Sequence, residues 1–120
     1  MTNRRHEALQ RLRELRRKYQ AELPGRIAEL AGAADVVAAA SDKTIGLRAL
    51  MALAHKLAGS GGTFGLPELS RRAGAIEQSV ERLIDSDRVS EVEVKKIQSA
   101  VEELRTGGRA QVGSLDGGTS

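Results

Sequence analysis

Residues 41–65 read SDKTIGLRALMALAHKLAGSGGTFG, and this stretch decides the fold. Ser41 and Asp42 favour the N-cap of a helix, because their side-chain oxygens can accept a hydrogen bond from a free backbone N–H group. The apolar residues that follow recur every three or four positions and are Leu47, Leu50, Met51, Ala54, Leu57 and Ala58. This is the period of an amphipathic helix, and we predict that the helix ends near Gly62, before the turn composition of Thr63-Phe64-Gly65.

The same period extends upstream over a longer segment. Its apolar positions are Leu9, Leu12, Leu15, Tyr19, Leu23, Ile27, Leu30, Ala34 and Val37. Pro24 interrupts this segment without changing its phase. Proline lacks a backbone N–H group, so either one helix is kinked just before Pro24, or a second helix begins with Pro24 in its first turn. The sequence leaves both alternatives open.

Two more helices are expected downstream. Pro67 suits the first turn of a helix, and the apolar spacing that follows predicts a third helix over residues 66–86. Ser90 and Glu93 have the spacing of a capping box, which predicts the start of a last helix that ends at Gly107. Residues 107–120 are rich in Gly and Ser and show no periodicity, so we expect a flexible tail or linker there.

Four amphipathic segments joined by short turns predict the fold class. No segment shows the alternating pattern of a strand, and 120 residues suffice for one domain. We therefore predict an all-α protein, an antiparallel four-helix bundle of up-down-up-down topology with an extended or kinked N-terminal helix. The bundle is expected to comprise residues 1–106.

The composition excludes several classes of site. The chain has no Cys, and its two histidines, His6 and His55, lie far apart, so no metal site is expected. No apolar run approaches the roughly 20 residues of a membrane-spanning helix. The basic N-terminus leads into an amphipathic segment and not into the apolar core of a signal peptide. We therefore expect a soluble, cytoplasmic protein that does not contact a membrane.

The net charge of +3 comes from one segment. Residues 1–22 contain seven Arg or Lys and three Glu, whereas the rest of the chain has twelve basic and thirteen acidic residues. A basic helix face is usually a solvated face, and this segment lacks the interleaved aromatic residues on which nucleic-acid bases stack. Nucleic-acid binding through residues 1–22 is therefore a disfavoured alternative.

His55 is the candidate functional residue of the predicted second helix. On a helical wheel it falls about 100° from the centre of the apolar stripe, so its side chain should be accessible. Several neighbours on that face are small, including Ala52, Gly59 and Gly62. Glycine inside a helix costs about 1 kcal/mol relative to alanine, and clearance for an approaching partner would explain its presence. The alternative is a surface histidine followed by glycines that only begin the turn.

The residues around His55 resemble a known family. The run His55-Lys56-Leu57-Ala58-Gly59-Ser60-Gly61-Gly62 is followed by a turn that ends at Gly65 and by a helix containing Leu69 and Glu77. This spaced pattern is similar to that of the histidine-phosphotransfer (HPt) domain of bacterial phosphorelays, and the resemblance covers about residues 20–86. It implies a four-helix bundle that carries phosphohistidine at the position of His55.

The resemblance also implies a role for Glu77. In the family a Glu or Gln on the next helix accepts a hydrogen bond from the histidine, which would orient the His55 ring and fix its tautomer. The alternative is an ordinary exposed glutamate that pairs with Arg72 or Arg82 on its own helix.

One position departs from the family pattern. The family commonly has Lys three residues after the histidine, and this chain has Ala58 there. Positive charge near the phosphoryl group would then come from Arg48, Arg71 or Arg72. The residues expected to dock a partner are Ala52, Lys56, Gly59, Ser60 and Gly62.

What the resemblance implies is a phosphocarrier without an autonomous active site. A receiver-domain phosphoaspartate, or a kinase, would phosphorylate His55, and the group would then pass to the receiver of a response regulator. The expected partners are therefore receiver domains, with a hybrid histidine kinase as a further candidate. No cofactor or small-molecule substrate is expected, because the partner would supply the Mg²⁺. The alternatives are a non-catalytic helical adaptor that docks receivers and a basic helical nucleic-acid-binding protein.

Overall fold

The computed structural model describes residues 3–86 and 88–117, the last part, residues 108–117, by its backbone alone. These residues form four helices, α1 (Asn3–Ala39), α2 (Thr44–Thr63), α3 (Pro67–Asp85) and α4 (Glu91–Gly117). Each helix packs against the next, and α1 also packs against α4. Short connections join them, so neighbouring helices run antiparallel. The predicted all-α four-helix bundle is confirmed, and no helix in the described ranges is long and apolar enough to cross a membrane.

α1 is one continuous helix that passes through Pro24. Of the two alternatives that the sequence left open, a single helix is therefore correct. A proline in a helix interior costs about 3 kcal/mol, and burial on both sides of it offsets this cost. Tyr19 and Leu23 before the proline, and Ile27 and Leu30 after it, are all buried. At a rise of 1.5 Å per residue α1 is about 55 Å long, close to the 60 Å long axis of the molecule.

The start of α2 differs from the prediction. Lys43, and not Ser41 or Asp42, occupies the N-cap position. The Oδ1 atom of Asp42 accepts a hydrogen bond from the Thr44 N–H group at 3.0 Å, and this bond lowers the pKa of Asp42. A carboxylate that bonds two residues ahead forms a turn of its own, so the helix begins after this turn, at Thr44.

Lys43 stabilises the end of α1. Its Nζ atom donates to the carbonyl oxygens of Val37 at 2.9 Å, Ala38 at 3.3 Å and Ala40 at 2.7 Å. Carbonyl groups at the end of a helix lack helical partners and carry the negative end of the helix dipole. We therefore expect Lys43→Ala to lower the free energy of unfolding in urea by about 1 kcal/mol. Lys95→Ala, at an exposed position of α4, is the control, and an equal loss in both variants would contradict the capping role.

α4 is longer than predicted. It starts as expected, because Ser90 Oγ accepts a hydrogen bond from the Glu93 N–H group at 3.2 Å. The predicted end at Gly107 is wrong, since the helix continues to Gly117. Each glycine weakens a helix by about 1 kcal/mol relative to alanine without breaking it, and no proline follows Gly107. Residues 118–120 of the predicted tail lie outside the described residues, and the flexibility of the tail stays a prediction.

The core lies between the four helices. Its largest fully buried side chains are Leu23, Leu30, Leu47, Leu50, Leu69, Leu104, Val37, Val80 and Val101. α2 and α3 approach closely at Gly61, where an added Cβ atom would lie 3.2 Å from the main-chain nitrogen of Ser70. The Oγ atom of Ser70 also donates to the carbonyl oxygen of Ala58 at 2.6 Å. These contacts fix the position of α3 against α2.

Candidate functional site

His55 lies in the second half of α2 with 73% of its side chain exposed. Its Nδ1 atom is 2.8 Å from Oε2 of Glu77 on α3, and the Glu77 side chain is 27% exposed. A proton on Nδ1 can therefore be donated to the carboxylate, which leaves a lone pair on Nε2. The His55 ring therefore presents an accessible Nε2 atom, and the hydrogen bond to Glu77 on α3 fixes the tautomer of the ring.

The close contact between α2 and α3 brings this pair together. His55 is six residues before Gly61, and Glu77 is seven residues after Ser70. The two helices run antiparallel, and each of these residues lies about two turns from the contact between Gly61 and Ser70. His55 and Glu77 therefore lie at the same height along the two helices, and Glu77 lies opposite His55.

Glu77 does not form the ion pair with Arg72 or Arg82 that remained open at the sequence level. The Nε atom of Arg72 donates to Glu68 Oε1 at 2.9 Å, and the Nη2 atom of Arg82 donates to Ser79 Oγ at 3.2 Å. Among the described residues, the Glu77 carboxylate thus pairs with His55 and not with either arginine.

The structure does not bring Arg71 and Arg72 to His55. The Nε atom of Arg71 donates to Glu68 Oε2 at 3.1 Å. The hydrogen bonds from Arg71, and to a smaller extent from Arg72, lower the pKa of Glu68 to about 2. Arg72 also donates to the carbonyl oxygen of Glu103 on α4 at 3.5 Å. Helix geometry places both arginines about 120–140° around α3 from the glutamate that meets His55. They lie on a different face from the site.

The surface beside His55 carries small residues and is open to solvent. Ala52, Gly59 and Gly62 are exposed on the same face of α2, and a Cβ atom added to Gly59 would meet nothing within 4 Å. Arg48 is also exposed on this face, about 10 Å before His55 along the helix axis. Of the three arginines considered as charge partners, Arg48 is the one that shares the face of His55.

Ser60 and Lys56 lie off this face. Lys56 is exposed and points about 100° away from the histidine. Ser60 is half-buried, and its Oγ atom is 2.8 Å from the hydroxyl of Tyr19, so it joins α2 to α1 instead of facing a partner. The Tyr19 ring stacks on Phe64 with 4.7 Å between ring centroids, as expected for packing residues. Helical periodicity does not reveal the bond between Ser60 and Tyr19, because both residue types bond to many partners.

Comparison with known families decides the assignment of the chain. The model of the Hpt domain family matches residues 14–107, which is more than half of the sequence. The chain belongs to the Hpt domain family. No curated protein and no solved structure matched it. Hpt domains act in histidine phosphotransfer in phosphorelays, and the match extends beyond residues 20–86 at both ends.

Ala58 gives this Hpt domain a neutral surface where the family commonly has Lys. The side chain is half-buried and packs against the core. Ala58 follows His55 by three residues, which is nearly one helical turn. A lysine at this position could extend towards the histidine, whereas a methyl group supplies no charge beside it.

We expect Gly59→Leu to preserve the fold of this Hpt domain and to slow its histidine phosphotransfer about tenfold or more. The branched side chain would stand one turn from the ring, in the open space beside His55. Leucine is also the better helix former, by about 1 kcal/mol. Transfer rates and thermal unfolding measure the two effects. Gly32→Leu, on α1 and also without a neighbour within 4 Å, is the control, and equal rates in both variants would exclude a clearance role.

Proposed function

We propose that this Hpt domain is a phosphorelay intermediate. His55 accepts a phosphoryl group from a receiver-domain phosphoaspartate, or from a kinase, and passes it to the receiver of a response regulator. The observation that carries the proposal is the exposed His55 ring, held at Nδ1 by Glu77 at 2.8 Å. An accessible histidine with one nitrogen engaged and the other available is the arrangement that a nucleophile requires.

The transfer step is a displacement at phosphorus. The Nε2 atom of His55 attacks the phosphorus atom, and the N–P bond forms as the P–O bond to the partner's aspartate breaks. The aspartate leaves as a carboxylate with both bonding electrons. The ring gains positive charge, and the proton on Nδ1 remains in the bond to Glu77, whose carboxylate stabilises that charge. Attack by a second aspartate on the phosphohistidine reverses these steps.

The partner neutralises the transferred group in this proposal. A Mg²⁺ ion bound to a receiver would neutralise the phosphoryl oxygens during transfer. Among the residues that the structure describes, no three potential metal ligands lie together, and the carboxylate beside His55 is already engaged by the ring. In this proposal the metal belongs to the receiver. The chain itself contributes the oriented ring and the open surface around it.

Incubation with a panel of phosphorylated receivers and Mg²⁺ tests the proposal. We expect at least one receiver to label the chain at a single histidine, and the label to move to a second receiver added afterwards. If no receiver labels the chain, or if the label lies on His6, the proposal is wrong.

The alanine at position 58 favours a second candidate, a non-catalytic adaptor that docks receivers without exchanging phosphate. Loss of the charge that the family commonly places beside the histidine weakens the interaction with phosphoryl oxygens. Receiver binding in a titration, without label in the panel experiment, would favour the adaptor.

A further inference from the structure

The first half of α1 projects beyond the bundle. Residues 3–18 are all exposed, and Tyr19 is the first buried residue of the helix. We call residues 3–18 the overhang, which is about 24 Å long at 1.5 Å per residue. It leaves the bundle beside the turn between α2 and α3, because the Nη2 atom of Arg16 lies 3.9 Å from where a Cβ atom on Gly65 would be.

The overhang carries an exposed apolar stripe. Leu9, Leu12 and Leu15 are 50%, 41% and 49% exposed. They continue the phase of Tyr19 and Leu23, which are buried in the core, so the stripe lies on the side of α1 that faces the other helices. Beyond the α2–α3 turn α2 and α3 have ended, and the stripe borders the space between the overhang and this turn, which we call the notch.

Arginines border the stripe on both edges. On a helical wheel Arg4 and Arg11 lie on one edge and Arg13 lies on the other, while Arg5 and Arg16 lie within the stripe, before Leu9 and after Leu15 along the helix axis. Glu7 and Glu14 lie on the opposite face of the helix. Pairing with a second copy of the overhang would therefore bring arginine against arginine, which disfavours self-association. Charge complementarity favours a partner whose apolar surface is bordered by carboxylates.

The position of the stripe favours a protein over a membrane. A flat bilayer laid against Leu9 and Leu15 would extend along α1 on the side that the bundle occupies, and it would meet the α2–α3 turn. A convex protein surface fits into the notch without this collision.

The stripe is too small to hold a partner alone. Stable protein interfaces bury about 800 Å² on each partner, far more than three half-exposed leucines offer. The occupant must therefore bind a second surface of the same chain. His55 lies nine residues before Phe64, about 13 Å from the turn along α2. A domain of 100 residues has a radius of gyration of about 13 Å, so a domain seated over His55 is large enough to span the distance along α2 to the notch.

We propose that the overhang is a second docking surface for the receiver domain that exchanges phosphate with His55. That receiver presents an apolar strip bordered by Asp or Glu to Leu9, Leu12 and Leu15. The inference rests on the proposed function and adds the chemistry of the partner. Because the overhang touches no reacting atom, it changes the affinity for the receiver and not the chemical step.

The receiver that labels the wild-type chain fastest is the probe for this inference. Replacing all three leucines of the stripe by Gln is expected to raise KM for the phosphorylated receiver about tenfold or more while leaving kcat unchanged. Glutamine is a good helix former, and circular dichroism checks the fold. The control replaces three exposed apolar residues at the opposite end of the bundle, and its changes are Val36→Gln, Ile45→Gln and Val92→Gln. It should leave both constants unchanged.

The charged border is tested separately. Arg11→Glu combined with Arg13→Glu should also raise KM and should weaken its dependence on salt concentration, since fewer opposite charges then meet. A salt dependence equal to that of the wild type would contradict the acidic partner surface.

The remaining outcomes separate the inference from the proposed function. An unchanged KM in the leucine variant overturns the inference and leaves phosphotransfer at His55 intact. If no receiver labels the wild-type chain, the proposed function fails, and this inference fails with it. Leucine-dependent dimerisation without a receiver would overturn the inference in favour of a second copy. Leucine-dependent binding to vesicles of equal parts phosphatidylcholine and phosphatidylserine would overturn it in favour of a membrane.

Discussion

His55→Gln is expected to abolish phosphoryl transfer and to leave the bundle folded. Glutamine has no ring nitrogen that can attack phosphorus, and loss of a nucleophile lowers rates by factors of about 10³ or more. The side chain is 73% exposed, and a substitution at such a position changes stability by only about 0.5 kcal/mol. Radiolabel transferred from a phosphorylated receiver measures the first effect, and thermal unfolding measures the second.

A control variant is needed to show that a glutamine on the surface of α2 does not by itself slow transfer. Ala49→Gln, at an exposed position about 120° around the helix from His55, should accept label at the wild-type rate. Label that persists in the His55 variant would show that another residue receives the phosphoryl group.

Glu77→Ala is expected to slow transfer by about tenfold to a hundredfold, at or below the lower end of the range for acid–base and orienting groups. Without the carboxylate the Nδ1 proton loses its acceptor, so the ring can rotate and populate both tautomers. The positive charge that develops on the ring also loses its counter-charge. Glu77→Gln should retain much of the rate, because its amide oxygen can still accept the bond.

NMR of the ring nitrogens separates orientation from a general loss of structure. We expect the wild-type His55 ring to hold its proton on Nδ1, and the alanine variant to give a mixture of tautomers. Glu81→Ala, one turn further along α3 at an exposed position, is the matched control. If both the tautomer and the rate are unchanged in Glu77→Ala, the glutamate has no positioning role.

Apolar periodicity predicted the four helices and their buried faces, because burial of one face leaves a direct trace in the spacing of residues. It also placed His55 at the edge of the α2 stripe. Helix ends were harder to predict. The start of α2 depends on a turn formed by the Asp42 side chain, and the end of α4 depends on how much weakening by glycine the helix tolerates.

Periodicity assigns a residue to a face but does not say what that face meets. Glu77 entered the candidate site through family resemblance, and its partner depends on the contact between Gly61 and Ser70, which joins two helices. For the same reason the sequence kept Arg71 and Arg72 among the candidate charge partners of His55. The stripe of α1 likewise runs unbroken through the sequence, yet its burial begins only at Tyr19, where the other helices begin to cover it.

Ser70 and Gly61 lock α2 to α3, and both members of the His55–Glu77 pair belong to this one hairpin. α1 and α4 complete the bundle largely through apolar surface, which many sequences can supply, with polar contacts such as the hydrogen bond between Tyr19 and Ser60 added to it. Evolution can therefore alter the outer two helices, including the overhang, without disturbing the geometry of the His55–Glu77 pair. In the proposed function, changes in α1 alone would alter which receiver binds, while the hairpin that holds His55 and Glu77 is inherited unchanged.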